Sequence, residues 1–171
     1  MTAPTAVEVV ANAQVHAGPD LTPLVGFMAS DFAPLVYAAV RECVGDPRGS
    51  HLLEGVGDRV AIVLGSRRFD TVSLDLSVEQ VDQGRVSPIL FYQVVPTAVL
   101  GQVARDYGLT GPVSCLAVTD DARAEVREVA DVLLADGDVD WVLAVTVEMA
   151  PDPTPSSAGA ELVRWPNDRK A

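Results

Sequence analysis

The sequence predicts an α/β fold, with a mainly parallel sheet flanked by helices. Five runs rich in Val, Ile, Leu and Ala barely alternate with polar residues, which is typical of strands covered on both faces. Helical patterns lie between these runs, and alternating strands and helices indicate a layered domain. A chain of 171 residues favours one domain with its own core. The expected strands lie at about 6–13, 59–65, 113–118, 139–147 and 160–165.

The first helix is predicted between Asp31 and Cys43. Its apolar residues recur at i, i+3, i+4, i+7, i+8 and i+11, so they form one buried stripe. Asp31 is suited to cap the start of this helix. Because Cys43 belongs to the stripe, a packed core thiol is favoured over a nucleophile. The stripe consists of Phe32, Leu35, Val36, Ala39, Val40 and Cys43.

Two further helices are marked by their ends. Pro96 suits a first helical turn, and Gly108 suits a left-handed stop. A third pattern runs from about Asp121 to Asp136 and ends at Gly137. The buried stripes are predicted to be Val99, Leu100, Val103, Ala104 and Tyr107 in the second helix, and Val126, Val129, Ala130, Leu133 and Leu134 in the third.

Several conspicuous patterns have structural explanations. Gly55-Val56-Gly57 starts like a dinucleotide fingerprint, but it precedes a strand and lacks the third glycine, so it is interpreted as a turn. Residues 151–158, rich in proline and serine, are predicted to form a loop or linker before the last strand. Charges at ordinary ion-pair spacing on the third helix are interpreted as its solvated face. These charges are Arg123, Glu125, Arg127 and Glu128.

Composition and net charge narrow the classes of molecule that the protein is expected to bind. The formal net charge of −12 repels phosphate backbones and anionic lipid, so neither nucleic acid nor a membrane is an expected partner. No apolar run approaches the roughly 18–20 residues of a membrane span, and residues 1–10 lack the pattern of a targeting signal. Two cysteines are too few for a disulfide framework. We therefore expect a cytoplasmic protein, and the Ala, Val, Asp, Arg and Gly-rich composition with Lys170 as its only lysine is typical of GC-rich bacterial genomes.

Few residues are candidates for catalysis or for ligand binding. Cys115 lies in the middle of an expected strand, where a thiol is usually packed and inert. His16 and His51 are interpreted as a strand-end residue and a loop residue. No ligand spacing for zinc, calcium or a pair of metals is present. The expectation is that the protein uses no cofactor.

Three segments carry a resemblance to a known family: Ser87-Pro88-Ile89-Leu90-Phe91, Tyr107-Gly108-Leu109-Thr110-Gly111-Pro112, and Gly137-Asp138-Val139-Asp140-Trp141-Val142-Leu143-Ala144. The chain resembles the N-terminal half of β-ketoacyl synthases, specifically over Val86 to Glu148 and more weakly before it. This resemblance implies about half of a thiolase-like fold, with residues 1–171 as a single ketosynthase N-terminal-like domain.

Asp120 stands where the family has its acyl-accepting nucleophile. In β-ketoacyl synthases a strand follows the Gly-Pro pair, and a Thr-Ala-Cys at the start of a helix places the cysteine eight residues after the proline. Eight residues after Pro112, this chain has Asp120. A carboxylate does not form the thioester that the reaction requires. The resemblance thus implies a relative that has lost the nucleophile, so that no catalytic residue is assigned.

Other differences from the family also imply that the chain has lost the family's reaction. Its second half supplies two active-site histidines, within motifs that neither His16 nor His51 matches. The small residues that flank the nucleophile are replaced by Asp121 and Arg123. Asp120 itself would sit at a helix N-terminus, where backbone N–H groups stabilise a negative charge. We therefore expect Asp120, like Asp121, to be a helix cap and not a general acid.

The resemblance implies a non-catalytic accessory role in polyketide or fatty-acid-type biosynthesis, similar to that of chain-length-factor-type ketosynthases. Family members pair edge to edge through the strand that leads to the nucleophile. Here that strand gives the expected interface of a homodimer or of a heterodimer with a ketosynthase, and an acyl carrier protein is a further candidate partner. The interface residues are Val113, Ser114, Cys115, Leu116, Ala117 and Val118.

Two alternatives remain at this point. One is an enzyme, a transferase, hydrolase or decarboxylase that processes acyl thioesters in the same cleft with Asp120, Cys115 or a histidine in a new role. The other is simple binding of an acyl group or small molecule. Incubation with acyl-pantetheine thioesters would separate an enzyme from a binding protein.

Overall fold

A computed structural model describes residues 7–166, which form five strands and five α-helices. The strands are β1 (Glu8–His16), β2 (Val60–Ser66), β3 (Val113–Ala117), β4 (Trp141–Glu148) and β5 (Ser157–Arg164). The helices are α1 (Phe32–Val44), α2 (Thr71–Asp82), α3 (Pro88–Val94), α4 (Thr97–Tyr107) and α5 (Ala122–Asp136), and a 3₁₀ turn at Gly57–Arg59 precedes β2. All five predicted strands are present, with bounds shifted by at most three residues.

The strands form one sheet in the order β1-β5-β4-β2-β3. β2 pairs in parallel with both β3 and β4, and β5 pairs antiparallel with β4 and β1. Four strands therefore run one way, which confirms the mainly parallel sheet, and β5 is the exception. The reason is local: the loop after β4 contains no crossover helix, and a short connection of this kind joins antiparallel neighbours.

Helices cover both faces of the sheet. On one face, α1 and α4 bury the larger core, which includes Ile62 and Leu64 of β2. On the other face, α5 packs over Ala61 and Val63 of the same strand. Every residue of β2 is buried, as expected for a central strand covered on both sides. The α/β layering predicted from the sequence is confirmed.

Gly65 sets how closely α5 approaches the sheet. A Cβ built on Gly65 would overlap the side chain of Val126 and lie 3.0 Å from Val118. Only glycine leaves room for this contact between β2 and α5. The loop that joins β3 to α5 is thereby held against the end of β2.

The predicted ends of α4 and α5 are confirmed. Pro96 immediately precedes α4, and Gly108 and Gly137 adopt left-handed φ angles of 67° and 84° after α4 and α5. The cap predicted at Asp31 is wrong. Asp31 has a helical backbone conformation and its side chain makes no capping bond, whereas an N-cap usually needs an extended backbone. The first N–H of α1 donates to Ser30 Oγ at 3.2 Å instead.

Helices α2 and α3 were not predicted from the sequence. Asp70 Oδ1 accepts the Ser73 N–H at 3.0 Å to cap α2, and Ser87 Oγ accepts the Leu90 N–H at 3.2 Å to cap α3. The two helices pack mainly on each other, and α3 also packs on α4, whereas neither packs extensively on the sheet. No helix among residues 7–166 is long and apolar enough to cross a bilayer.

Candidate functional site

Three parallel strands end together at one edge of the sheet. Ser66 of β2 is in register with Ala117 of β3 on one side and with Val147 of β4 on the other. In open α/β sheets, ligands bind outside the carboxyl ends of the strands. The loop from β3 to α5, which contains Asp120, lies at this edge and is the candidate site.

The structure does not make Asp120 a helix cap. Asp121 caps α5, since its Oδ1 accepts the Ala124 N–H at 3.0 Å. Asp120 lies one residue earlier, is exposed, and uses its backbone: its N–H donates to Glu125 Oε1 at 3.0 Å. The expected capping role is therefore correct for Asp121 and wrong for Asp120. Neighbouring aspartates have the same cap preference, so sequence alone did not distinguish them.

The Glu125 carboxylate accepts hydrogen bonds from three donor groups of this loop. Its Oε1 accepts the Thr119 N–H at 2.9 Å, the Thr119 hydroxyl at 3.1 Å and the Asp120 N–H at 3.0 Å. These hydrogen bonds, above all that from the Asp120 N–H, hold the pKa of the Glu125 carboxyl below its usual value. A carboxylate thus occupies the position at which these N–H groups could otherwise bind another anion. Glu125 is not simply part of a solvated face, and that interpretation is corrected.

Arg67 connects the loop to the neighbouring strand ends. Its Nη2 donates to the Asp120 carbonyl oxygen at 2.7 Å, and its Nε lies 3.3 Å from Oε1 of Glu148, the last residue of β4. Both side chains of this ion pair are about half exposed, so the pair adds little energy. Its effect is positional, because one side chain joins the ends of β2 and β4 to the loop. The sequence feature that indicates this contact is an arginine directly after a buried strand.

A strained turn follows Arg67. Phe69 has φ of 52°, a left-handed conformation that is unfavourable for a bulky residue. Ser66 Oγ accepts the Phe69 N–H at 3.0 Å, and the Phe69 ring lies 6.3 Å from that of Phe32. The next residue, Asp70, is buried and accepts the Ser73 hydroxyl at 2.6 Å. These contacts fix the point at which α2 begins.

Neither cysteine is arranged as a nucleophile. Burial raises the pKa of Cys115, in the middle of β3, to about 11. Burial also raises the pKa of Cys43, in the α1 stripe, to about 11. Both thiols are therefore protonated at neutral pH, and the reactive form is the thiolate. The prediction that Cys43 belongs to the core is confirmed.

The histidines lie apart from the candidate loop in the fold. His16 ends β1, and His51 lies in the turn before β2, with its ring edge-on to Tyr107 at 5.1 Å. His51 Nδ1 accepts the Leu53 N–H at 3.2 Å, a structural contact. Within residues 7–166, no group of three or more His, Cys, Asp or Glu side chains is placed to hold a metal ion.

Arg127 is not on the solvated face as predicted, and Arg123, although 69% exposed, also pairs across to the sheet. Both reach from α5 to Glu161 on β5, where Arg127 donates from Nε at 3.1 Å and from Nη2 at 2.9 Å, and Arg123 forms a second ion pair. Glu161 is only 8% exposed, so the partners compensate a buried carboxylate. This cluster is not recognisable from sequence spacing, because Arg127 and Arg123 lie 34 and 38 residues before Glu161.

β3 is an edge strand. It pairs only with β2 among the described strands. The Ile62 N–H donates to the Pro112 carbonyl, and the Val118 N–H donates to Ser66. Because successive residues of a strand point their backbone groups to opposite sides, Val113, Cys115 and Ala117 direct theirs away from β2.

The side chains of β3 are also incompletely covered. Val113 is 42% exposed, and Ser114, Cys115 and Leu116 are half-buried. Val118 differs from the other residues of the expected interface. It follows the end of the strand, and its side chain is buried in the core beneath α5.

Comparisons with known proteins agree with this architecture. No protein-family model and no curated protein sequence matches the chain. Among solved structures, the ishigamide ketosynthase/chain length factor matches with a TM-score of 0.69 and 16% identity, over 92% of this chain and 55% of the other. A ketosynthase (ApeO) in complex with its chain length factor (ApeC) from Xenorhabdus doucetiae matches with a TM-score of 0.70 and 16% identity, over 94% and 79%.

A third solved structure, AntDE:AntF, is a type II polyketide synthase acyl-carrier protein in complex with its ketosynthase. It matches with a TM-score of 0.68 and 14% identity, over 98% of this chain and 65% of that one. The chain thus spans between about half and four-fifths of these three chains. The mixed sheet, the helices on its two faces and these matches together establish a thiolase-like fold related to that of ketosynthases.

Proposed function

We propose that this protein is a non-catalytic, ketosynthase-like accessory protein in polyketide or fatty-acid-type biosynthesis. It acts by binding a ketosynthase, a carrier protein or a second copy of itself. The proposal rests on the loop at residues 118–121: the resemblance aligns Asp120 with the family's nucleophile, and Glu125 accepts the backbone N–H of Asp120.

The first argument is chemical. Condensation by β-ketoacyl synthases passes through a thioester between the acyl group and the enzyme, which a thiol nucleophile can form and a carboxylate cannot. Asp120 provides a carboxylate. Cys115 is a nearby thiol in sequence, but burial raises its pKa to about 11, so its thiolate fraction at neutral pH is small.

The second argument concerns the stabilisation of negative charge. Acyl transfer passes through an oxyanion, which enzymes stabilise with preorganised N–H donors. In this loop the N–H groups of Thr119 and Asp120 both donate to Glu125, and that of Ala124 donates to Asp121. An oxyanion in this loop would have to displace the Glu125 carboxylate, which already accepts hydrogen bonds from the Thr119 and Asp120 N–H groups.

The third argument concerns partner binding. An open strand edge is a template for pairing with another chain, and β3 presents such an edge, with backbone groups directed outwards at Val113, Cys115 and Ala117. Two of the similar structures are ketosynthase assemblies with a chain length factor, and one includes a carrier protein. These assemblies favour the same classes of partner for this chain.

The test of catalysis is incubation with acyl-pantetheine thioesters, followed by intact-mass analysis and an assay for carbon–carbon bond formation. We expect no adduct and no condensation product from the wild type. Asp120→Cys should also fail to condense substrates, because the two histidines of the family are absent. An acyl adduct or turnover by the wild type would contradict the proposal and favour the acyl-thioester-processing enzyme.

The test of binding is light scattering of the chain alone and after co-expression with the ketosynthase and carrier protein of its own pathway. We expect a complex that Val113→Pro weakens, because proline removes an outward-facing donor without removing a bond to β2. Val113→Ala is the matched control, since it shortens the side chain and keeps the N–H. A wild type that stays monomeric and binds neither protein would refute the proposal.

A further inference from the structure

A groove on the surface of α1 and α4 contains three of the twelve basic residues of the chain. Its volume is about 550 Å³, which lies within the range of small-molecule sites. The loop at residues 22–25 and the turn at residues 46–48 form its other walls. We call this surface the arginine groove, after Arg41, Arg48 and Arg105.

Two of these arginines are held in place by neighbouring side chains. Arg41, on α1, donates from Nη2 to Asp46 Oδ2 at 2.6 Å. Arg105, on α4, donates from Nη2 to Gln102 Oε1 at 2.6 Å and from Nε to Asp106 Oδ1 at 3.4 Å. Each of these bonds uses only part of a guanidinium group, which has five N–H donors. The remaining donors of Arg41 and Arg105 are available to a ligand.

Arg48 is carried by an ordered turn. Its N–H donates to Asp46 Oδ1 at 2.9 Å, and the Gly49 N–H donates to the Asp46 carbonyl at 3.0 Å. The turn begins at Gly45, which has a φ of 101° and whose carbonyl accepts the Tyr107 hydroxyl at 2.7 Å. The ion pairs found within residues 7–166 do not include Arg48. Its backbone is therefore fixed, while its exposed guanidinium group forms no ion pair with that part of the chain.

The arginine groove is locally positive on an acidic chain. Three guanidinium groups outnumber the two carboxylates that line it, those of Asp46 and Asp106. Asp106 Oδ2 accepts the Tyr37 hydroxyl and the Gln102 side-chain amide, each at 2.7 Å, so this carboxylate is already satisfied. The net charge of −12 is spread over the whole chain, and salt screens exposed charges beyond about 10 Å. An anion in the groove therefore interacts mainly with the arginines.

We propose that the arginine groove binds a phosphate monoester of a small organic molecule. The planar fork of an arginine matches the geometry of phosphate oxygens. A phosphate monoester presents three terminal oxygens to such donors, whereas a carboxylate presents two. The organic part of the ligand would contact the loop at residues 22–25, where Pro23 and Leu24 line the groove and Val25 is 90% exposed.

The arginine groove lies away from the elements that carry the proposed function. Helices α1 and α4 cover one face of the sheet, whereas α5 covers the other. Neither the loop at residues 118–121 nor strand β3 lines the groove. Ligand binding in the groove and partner binding at β3 use different residues, so either can fail while the other holds.

The test is titration of the ¹⁵N-labelled chain with phenyl phosphate, followed through the amide chemical shifts of residues 46–49 and 102–106. At about pH 7.5 the phosphate group is doubly charged, since its second pKa is about 6. Two control ligands separate the parts of the probe: inorganic phosphate lacks the ring, and benzoate replaces phosphate with a carboxylate. We expect saturable shifts with phenyl phosphate, and weaker binding of both controls.

Arg48→Gln is the informative variant. Because Arg48 is exposed and forms no ion pair within residues 7–166, its loss should leave the fold intact, as the amide spectrum will show. We expect the dissociation constant for phenyl phosphate to rise by about tenfold, as for the loss of a hydrogen bond to a charged group. Arg68→Gln is the matched control, since Arg68 is also exposed and lies outside the groove. This variant should bind phenyl phosphate as the wild type does.

The outcomes are distinct from those that test the proposed function. A selective loss of affinity in Arg48→Gln supports the phosphate site. The absence of saturable shifts at residues 46–49, or equal losses in Arg48→Gln and Arg68→Gln, overturns it. Inorganic phosphate that binds as tightly as phenyl phosphate overturns the assignment of an organic ester. Tighter binding of a phosphoserine peptide than of phenyl phosphate overturns the small molecule in favour of a phosphorylated protein.

Discussion

The carboxylate of Glu125 accepts the backbone N–H of Asp120 at 3.0 Å, across the turn from β3 into α5. A side chain on the first turn of α5 thereby occupies a backbone donor of Asp120. Glu125 also accepts the N–H and hydroxyl of Thr119. The acidic side chain thus stabilises the conformation of the loop between β3 and α5.

Replacing Glu125 should make this stabilisation visible as a pH effect. In the folded protein the pKa of Glu125 lies below its usual value of 4.5, so its contribution to stability is present above pH 4.5 and is lost as the pH falls through the lowered pKa. Glu125→Gln should be less stable than the wild type at pH 7, and the difference should shrink below pH 4.5. Urea unfolding at several pH values measures this, and a Glu128→Gln variant, altered on the exposed side of α5, should show no such trend.

The two aspartates before α5 should differ in their effect on stability. Asp121→Ala removes the cap bond to the Ala124 N–H and should lower the free energy of unfolding by about 0.5–2 kcal/mol. Asp120→Ala keeps the backbone bonds to Glu125 and Arg67, so it should change stability by no more than about 0.5 kcal/mol. Thermal or urea unfolding compares them. Equal losses in the two variants would show that Asp120 is also a cap.

Two glycines provide a matched pair. Gly65→Ala places a methyl group into the Val126 side chain and should destabilise the protein by about 1–3 kcal/mol, as overpacking does. Gly101 lies within α4 with nothing within 4 Å of a built Cβ. Gly101→Ala should therefore stabilise by about 0.5–1 kcal/mol, since it restricts the unfolded chain and favours the helix. If Gly65→Ala is neutral in denaturant unfolding, α5 does not pack as closely on β2 as described.

The ion pairs of Glu161 should be unequal. Arg127 makes two hydrogen bonds to Glu161 and its side chain is 30% exposed, whereas that of Arg123 is 69% exposed. Arg127→Gln should lower the free energy of unfolding by about 1–3 kcal/mol because it leaves a buried carboxylate less compensated. Arg123→Gln should cost less than about 1 kcal/mol, as for an exposed pair. Urea unfolding of the two variants at low and high salt tests this order.

The sequence was sufficient to predict the elements that pack within the two hydrophobic cores. β2 and β4 are runs of apolar residues, and α1, α4 and α5 each carry one stripe, so their positions were predicted to within a few residues. α2 was missed because its apolar residues do not form a single stripe: Val72 and Leu76 lie on one side, and Leu74, Val78 and Val81 on another. A stripe of apolar residues indicates a helix that packs on a core, so it does not identify a helix that has little contact with the core.

That Asp120 stands at the position of the family's nucleophile stays a prediction. Counting from Pro112 led to a loop that the fold places at the ends of three parallel strands. Spacing along the chain cannot reveal contacts between distant elements, and the Arg67–Asp120 bond and the Arg127–Glu161 pair span 53 and 34 residues. The side chains that hold the loop and α5 in place become apparent only when the strands are brought together.

The two outer strands of the sheet have different edges. β1 has an irregular register with β5 between Val9 and Ala11, and its exposed positions include Glu8, Asn12 and Gln14. Irregular and polar edges of this kind resist the addition of another strand, whereas β3 is regular and mostly apolar. Addition of a strand is therefore favoured at the β3 side of the sheet. Two copies joined at β3 would have used the one receptive edge that the strands within residues 7–166 offer, so growth would stop at a pair of chains and would not propagate into a fibre.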